Sequence, residues 1–404
     1  MDLGASIDGS PMDRNVFLVL ILAALYVLVR RLIPWASILR HNFSYLIFFA
    51  FASLSILWAD DSILALKRLV KSFGDVLMVL ILLTEKRPFD ALGLVLRRLA
   101  FVLLPLSILF IKYYPELGRS YHMGLPMFTG VAYQKNSLGQ LCMIIAVYFA
   151  WLALLRRRCL DDSIYKPPLA ILLIVSTMLV WLLMMAQSAT ALALTAGAAA
   201  FFAASSLGFF ANRPGRLVFF GALTAVIIPL LEYNFHLKDA IIRLLGREPD
   251  LTGRTPIWDA VLQAVPNAWV GAGYESFWTA DRLNTIGITQ AHNGYVDFYA
   301  NLGIIGIGLL LFAVFVGFVR AISQLRDDYT LALFRLVIVV VVMAYNYTEA
   351  AFKPMNNMYL LLLFGILSIP TRKKGQNTDV SIKRSSRDMV NSSDANSNSQ
   401  YTHR

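Results

Sequence analysis

Charge is scarce in this 404-residue chain: Asp, Glu, Lys and Arg together make up 15%, against 58% hydrophobic residues. Soluble domains carry about 25% charged residues, so a soluble globular protein is excluded. The apolar residues come in runs of about 17–20, each long enough to cross a ~30 Å hydrocarbon core as a helix. The strict alternation of an outer-membrane barrel is missing. With two cysteines, Cys142 and Cys159, there is neither a disulfide framework nor a CxxC metal signature. Five histidines, with no His, Cys and carboxylate residues at ligand spacing, give no expectation of a metal. No Walker-type loop is present, and the one GxG, in "VGAGYESF" (270–277), follows no strand, so no nucleotide cofactor is expected. The net charge of +11 belongs to membrane-flanking loops and not to a nucleic-acid surface. The fold class is therefore all-α: a polytopic integral membrane protein.

About eleven (10–12) transmembrane helices are expected, at about 16–33, 43–58, 68–84, 92–111, 136–155, 169–186, 189–210, 217–231, 292–319, 331–348 and 357–370. The first follows an acidic leader (Asp2, Asp8, Asp13) with no basic stretch or small-residue cleavage site, and is expected to be retained. Clusters such as Lys86/Arg87, Arg156–Arg158, Arg213/Arg216 and Arg320/Arg326 mark one set of loops as cytoplasmic. With an odd count the N-terminus lies outside; an even count would reverse it without moving the C-terminal half. These readings give a helical membrane domain over 1–371 and a polar, basic, disordered cytoplasmic tail over 372–404. The long hydrophilic segment 232–291 falls on the outer face, and its length suggests a function.

That outer face also holds Lys67, Arg68, Lys71, Lys112, Arg119, Lys135, Lys238, Arg243, Arg247, Arg254, Arg282 and Lys353. Singly, each could snorkel or solubilise a loop. Collectively they suit an anion at the outer leaflet, such as the phosphate or pyrophosphate of a lipid. Lys71 and Lys135 stand out because they sit at span ends, where an ionisable group is costly.

Several short stretches carry chemistry. In "TGRTPIWDAV" (252–261), Thr255 reads as an N-cap, Pro256 as the first helical residue and Asp259 as a first-turn acid. Arg254 then sits before a helix N-terminus, a place suited to an anion, or else merely solvates a loop. In "AHNGYVDF" (291–298) a helix would put His292, Tyr295, Val296 and Tyr299 on one face and Asn293 and Asp297 beside them. His292 is suited to moving a proton near neutral pH, with Asn293 or Asp297 orienting the ring or a substrate; the plainer reading is an interfacial histidine in an aromatic belt. "GVAYQKNSLGQ" (130–140) brings Lys135 and Asn136 to the mouth of a span. "MAQSATALALT" (185–195) reads as close helix packing. "YNYTEAAFKPMNN" (345–357) puts Glu349 and Lys353 one helical turn apart, as an ion pair or a working carboxylate.

Together "GRTPIW", "GAGYESFW" and "AHNGYVDFYANLGIIG" resemble the signature of the O-antigen ligase and polysaccharide polymerase family, with its Gly-Arg-x-x-x-Trp and His-Asn-x-x-Leu segments. Here these are Gly253, Arg254 and Trp258, then His292 and Asn293. "QKNSLG" and "SATAL" extend the likeness over about 60–370, with a ligase-like core at about 180–350, and "SFGD" (72–75) leans toward the exopolysaccharide branch. Val296 replaces the family's Leu. Ala189 stands where many ligases carry an Arg, whose phosphate contact therefore cannot be transferred; Lys135, Lys71 or Arg68 could supply it.

The resemblance implies a metal- and nucleotide-independent glycosyltransferase of the bacterial inner membrane. It would use a glycan on undecaprenyl pyrophosphate at the periplasmic face and a glycan or lipid acceptor, with a flippase and a chain-length regulator as partners. Arg254 and His292 would be catalytic; Lys135, Asn136, Asn293, Arg68, Lys71 and Glu349 would bind substrate. The rival readings are a lipid-linked polysaccharide flippase, for which no internal repeat is found, and a membrane protein acting on lipid-linked peptidoglycan precursor.

Overall fold

A computed structural model describes residues 11–31, 33–122, 124–158, 167–235 and 254–370. The expected tail 372–404, Cys159, Gly253 and the outer-face cations Lys238, Arg243 and Arg247 lie outside the described residues. In chain order the helices begin with α1 (Pro11–Arg30), α2 (Trp35–His41), α3 (Phe43–Leu54), α4 (Ser62–Leu83), α5 (Pro88–Tyr113) and α6 (Pro115–Gly118). A small antiparallel hairpin, β1 (Arg119–His122) with β2 (Leu125–Phe128), follows. Then come α7 (Lys135–Arg158), α8 (Leu169–Ala186), α9 (Ala189–Ser205), α10 (Gly208–Ala211) and α11 (Pro214–Phe235). After the undescribed segment the chain continues through α12 (Thr255–Gln263), α13 (Ala280–Ile286), α14 (Gly294–Gln324), α15 (Tyr329–Tyr345) and α16 (Asn357–Ile366).

A helix lies within each of the eleven stretches expected to span the membrane, but fewer than eleven of the described helices qualify as spans. By length and hydropathy five of the described helices can cross a membrane: α1, α5, α7, α8 and α14. A sixth is possible if α2 and the run from Phe43 to Trp58, bent at 85°, count as one span. The protein is accordingly a multi-pass, mainly helical membrane protein. Helix starts follow the sequence grammar: Asp61, Ser188, Asn293, Asp328 and Asn356 each accept from a backbone N–H in the first turn that follows.

The core centres on α7, which packs against α8 and α9. Trp151 of α7 is buried against the Phe334 ring, with centroids 4.6 Å apart, and its indole N–H donates to the Thr330 carbonyl at 3.0 Å. Small residues let helices close in, as expected for "SATAL": a Cβ on Gly139 of α7 would sit 2.8 Å from that of Ser188, the α9 cap. On the other side α14 packs against α3 and α15, while α1 lies at the periphery on α4.

The longest helix is broken. At 31 residues α14 would measure about 46 Å, well beyond a ~30 Å hydrocarbon core. Its backbone leaves helical geometry at Gly303 (φ 65°), and the turn at 268–272 fills the gap. Ile304 N–H donates to Ala268 at 2.9 Å, Ile305 to Trp269 at 3.1 Å, and Ala272 donates back to Ala300 at 3.0 Å. Only glycine fits at 303, where a Cβ would lie 2.3 Å from the Trp269 carbonyl. The part after the break keeps the apolar run; the part before it carries the polar residues Asp297 and Asn301.

Candidate functional site

Glu349 stands where four segments meet, in the turn after α15, with its side chain 12% exposed. Asn136, in the first turn of α7, donates to Oε1 at 2.8 Å. Arg254 Nη2 lies 3.7 Å from the same oxygen, and His292 Nδ1 lies 3.7 Å from Oε2. The Arg254 guanidinium also donates to the Thr348 carbonyl and, at 3.4 Å, to that of His292. An ionised carboxylate has about four acceptor positions, so it can serve a guanidinium, an amide and an imidazole together.

The backbone around His292 is fixed from several sides. Asp297 Oδ1 accepts from the Ala291 N–H at 2.9 Å, and the Trp258 indole donates to the Ala291 carbonyl at 3.0 Å. Gly294 N–H lies 2.7 Å from the Asn346 carbonyl and 3.0 Å from that of Glu349; a Cβ on it would come within 2.1 Å of Asn346 Oδ1. His292 itself has φ 52°, a left-handed conformation rare for a residue other than glycine. These ties point its ring at Glu349.

Beside this cluster opens a cavity of about 860 Å³. Five cations line it: Arg14, Lys67, Arg68, Lys71 and Lys353. Asp13, Glu275 and Asp297 are the acids at its wall, and Phe17, Ile21, Leu66 and Val70 supply an apolar side formed by α1 and α4. Arg68 donates to the Glu275 carbonyl, and burial pushes the Glu275 carboxyl above the usual range, opposed by Arg68 and Lys353. Gln290 joins cavity and cluster: Lys353 Nζ donates to its Oε1 at 3.1 Å, and its Nε2 lies 3.3 Å from His292 Nδ1.

The structure brings together four residues singled out from the sequence: Arg254, His292, Glu349 and Asn136. Arg68 and Lys71 line the neighbouring cavity. Lys135 adjoins Asn136 at the start of α7, half-buried. Asn293 is buried at the α14 cap, its Oδ1 accepting from Tyr295 and Val296 at 3.0 and 3.3 Å. Other cations expected on the outer face are occupied elsewhere: Arg282 with Asp60 at 2.5 Å, Arg119 with the Ile111 carbonyl at 2.7 Å, and Lys112 over the Trp181 ring.

Three local expectations are corrected. His292 shares no helix face with Tyr295 and Tyr299, because α14 starts at Gly294. Thr255 is not the cap of α12; Arg254 occupies that position in αR conformation, Pro256 moves to the second helical residue, and Asp259 falls beyond the first turn. The guanidinium consequently turns to the 346–349 turn and not onto its own helix N-terminus. Glu349 and Lys353 are not one helical turn apart, since α15 ends at Tyr345 and each has a different partner. Gln290, Arg14 and Glu275 went unnoticed in the sequence; Gln290 lies in the "TQAHNG" stretch, but nothing local marks a glutamine that bridges segments 63 residues apart.

The O-antigen ligase family model matches residues 122–311. That span includes Asn136, Arg254 and His292; Glu349 and Lys353 lie beyond it. A relative described as exopolysaccharide production protein ExoQ, from Rhizobium meliloti (strain 1021), is 27% identical over 374 residues. The similarity covers 85% of this chain and 81% of the relative. The protein is thus a multi-pass membrane protein similar, over residues 122–311, to the O-antigen ligase family and, over most of its length, to an exopolysaccharide production protein.

Proposed function

We propose that the protein joins sugars at the periplasmic face of the bacterial inner membrane, drawing on a glycan carried by undecaprenyl pyrophosphate. The observation that carries this reading is the convergence of Arg254, His292, Glu349 and Asn136 beside a cavity lined by five cations. In this reading the cationic wall holds the pyrophosphate, and the apolar side toward α1 and α4 takes the start of the polyprenyl chain. The eleven helices cross the membrane with the cluster on the outer side.

His292 takes the proton from the acceptor hydroxyl through Nε2, the ring nitrogen turned away from Glu349. The acceptor oxygen then bonds to the donor's anomeric carbon as the bond from that carbon to the pyrophosphate breaks. The lipid pyrophosphate departs with the bonding electrons. Displacement from the opposite side inverts that carbon. Glu349 orients the ring and stabilises its charged form, while Arg254 and the cavity cations offset the charge developing on the leaving group. Asn136 holds Glu349, Asn293 fixes the helix start, and Lys135, Arg68 and Lys71 meet the phosphates. Because pyrophosphate is itself the leaving group, the step calls for neither metal nor nucleotide.

Similarity to a protein named for exopolysaccharide production favours polymerisation, with a second lipid-linked glycan as acceptor, over transfer to a lipid core. The test is to incubate purified protein with a lipid-pyrophosphate oligosaccharide and no nucleotide, and to follow chain length. Longer lipid-linked glycans support polymerisation, and transfer only to an added lipid core would make the protein a ligase. Movement of the lipid across a bilayer without bond formation would replace the enzyme reading by a flippase.

A further inference from the structure

We propose that Gln290 is a positioning residue that ties the tautomer of His292 to occupancy of the cationic cavity, through Lys353. The inference rests on the reading of His292 as the proton acceptor. Its starting point is hydrogen-bond bookkeeping. A lysine ammonium can only donate, so its contact at 3.1 Å identifies the oxygen end of the Gln290 amide. The nitrogen end must then face His292 Nδ1, at 3.3 Å. An amide nitrogen also only donates, so Nδ1 must be the unprotonated nitrogen, and the neutral ring carries its proton on Nε2. That nitrogen cannot accept a proton from a hydroxyl.

Glu349 makes the opposite demand. Its Oε2 lies 3.7 Å from the same Nδ1 and, as an acceptor, favours a proton there, leaving Nε2 free to act as a base. Two partners thus compete for one ring nitrogen and specify opposite tautomers. With the amide closer, the ring rests in the form that cannot take a proton. The other nearby charges meet the backbone or the competing partner: Arg254 reaches the His292 carbonyl and Glu349, and Asp297 holds the Ala291 N–H.

Lys353 decides the contest. It lines the cavity with Arg14, Lys67, Arg68 and Lys71, so an incoming phosphate or pyrophosphate offers it a stronger partner than a neutral amide. The turn bearing Lys353 is anchored, since the Met355 N–H donates to Asp75 Oδ2 at 2.8 Å, and movement falls to the lysine side chain. Once Lys353 leaves, Gln290 is no longer held in one orientation. Nδ1 takes a proton from solvent while Nε2 yields one, with no net change, and Nδ1–H settles on Glu349. The base is then armed only when the donor's anion is seated.

The test uses full-length protein with ¹⁵N-labelled histidine in lipid nanodiscs, where two-bond ¹⁵N–¹H NMR reports the tautomer of each ring. His292→Gln identifies the relevant signal among the five histidines. Without ligand, His292 should carry its proton on Nε2; saturating inorganic pyrophosphate should move it to Nδ1. Lys353→Met should abolish that response and raise the KM for the lipid-linked donor roughly 10-fold or more. Gln290→Leu should give the Nδ1–H form with or without pyrophosphate. A resting Nδ1–H ring, no change at saturation, or an undiminished response in Lys353→Met would each overturn the proposal. Loss of product in His292→Ala with an unresponsive tautomer would sink this inference alone; product retained by His292→Ala would sink the catalytic reading.

Discussion

The two ends of the helix bundle differ in what most of their cations meet. At the end where α2, α14, α15 and α16 meet, guanidinium groups close off helix termini. Arg335 is buried and donates to the carbonyls of Gly365 and Leu367 and to Gln324 Oε1, all at 2.9–3.0 Å, while Arg320 donates to the His41 carbonyl. These are the orphan carbonyls that every helix C-terminus leaves behind. At the other end Arg119 closes the Ile111 carbonyl in the same way, but a further group of cations, Arg14, Lys67, Arg68, Lys71 and Lys353, borders a cavity and Arg254 shares Glu349. The non-glycine residues with positive φ among the described residues, Gln187, Glu275, His292 and Met355, all lie there as well. Such conformations cost of order 1–3 kcal/mol each and persist only where the surroundings impose them. The first end is mainly closure, and the second holds polar groups in costly arrangements, which is where the proposed site lies.

Mutations at the two ends should therefore separate activity from stability. The largest effect belongs to His292→Ala and Arg254→Ala, each expected to lower product formation by roughly 10²–10⁴ while the protein stays folded in the membrane. Normal product from either purified variant would end the proposed mechanism. Glu349→Gln keeps a partner for Asn136 but removes the charge facing Arg254 and His292, and should cost roughly 10- to 100-fold in kcat. At the opposite end, Arg335→Met strands two carbonyls and should lower stability by about 1–3 kcal/mol for each. It would show as a reduced Tm in detergent with unchanged specific activity of the folded fraction. Smallest is Tyr45→Phe, which removes a buried hydroxyl contact with Tyr359 at 3.0 Å and should cost about 1 kcal/mol in the same melt. A large loss of activity in Arg335→Met would erase the contrast between the ends.

Much of the fold was legible because apolar runs and caps are local signals. Asp61, Ser188 and Asn356 cap helices in this way, whereas the one cap read from the sequence, Thr255, is displaced to Arg254. Arg254 and His292 stood out as candidates through their motifs, and the structure brings both to Glu349. What escaped was non-local. Glu349 looked paired with Lys353 because four residues suit one helical turn, but the chain leaves α15 at Tyr345 and sends the two to different partners. Arg14 was hidden in a peripheral helix whose place beside α4 no pattern announces, and the break at Gly303 sits inside an uninterrupted apolar run.

That break has a consequence for how the chain can vary. Hydrogen bonds from Ile304 and Ile305 back to Ala268 and Trp269 close the intervening chain into a ring of fixed circumference, pinned again where Ala272 meets Ala300. One residue added or removed between 273 and 299 must be absorbed within that ring, which also carries Gln290, His292 and Asp297. Insertions and deletions among relatives should therefore accumulate ahead of Arg254 and be rare between Ala268 and Ile305. The same closure orders biosynthesis: the turn at 268–272 cannot complete its hydrogen bonds until the strand of chain some 35 residues downstream has emerged and entered the membrane.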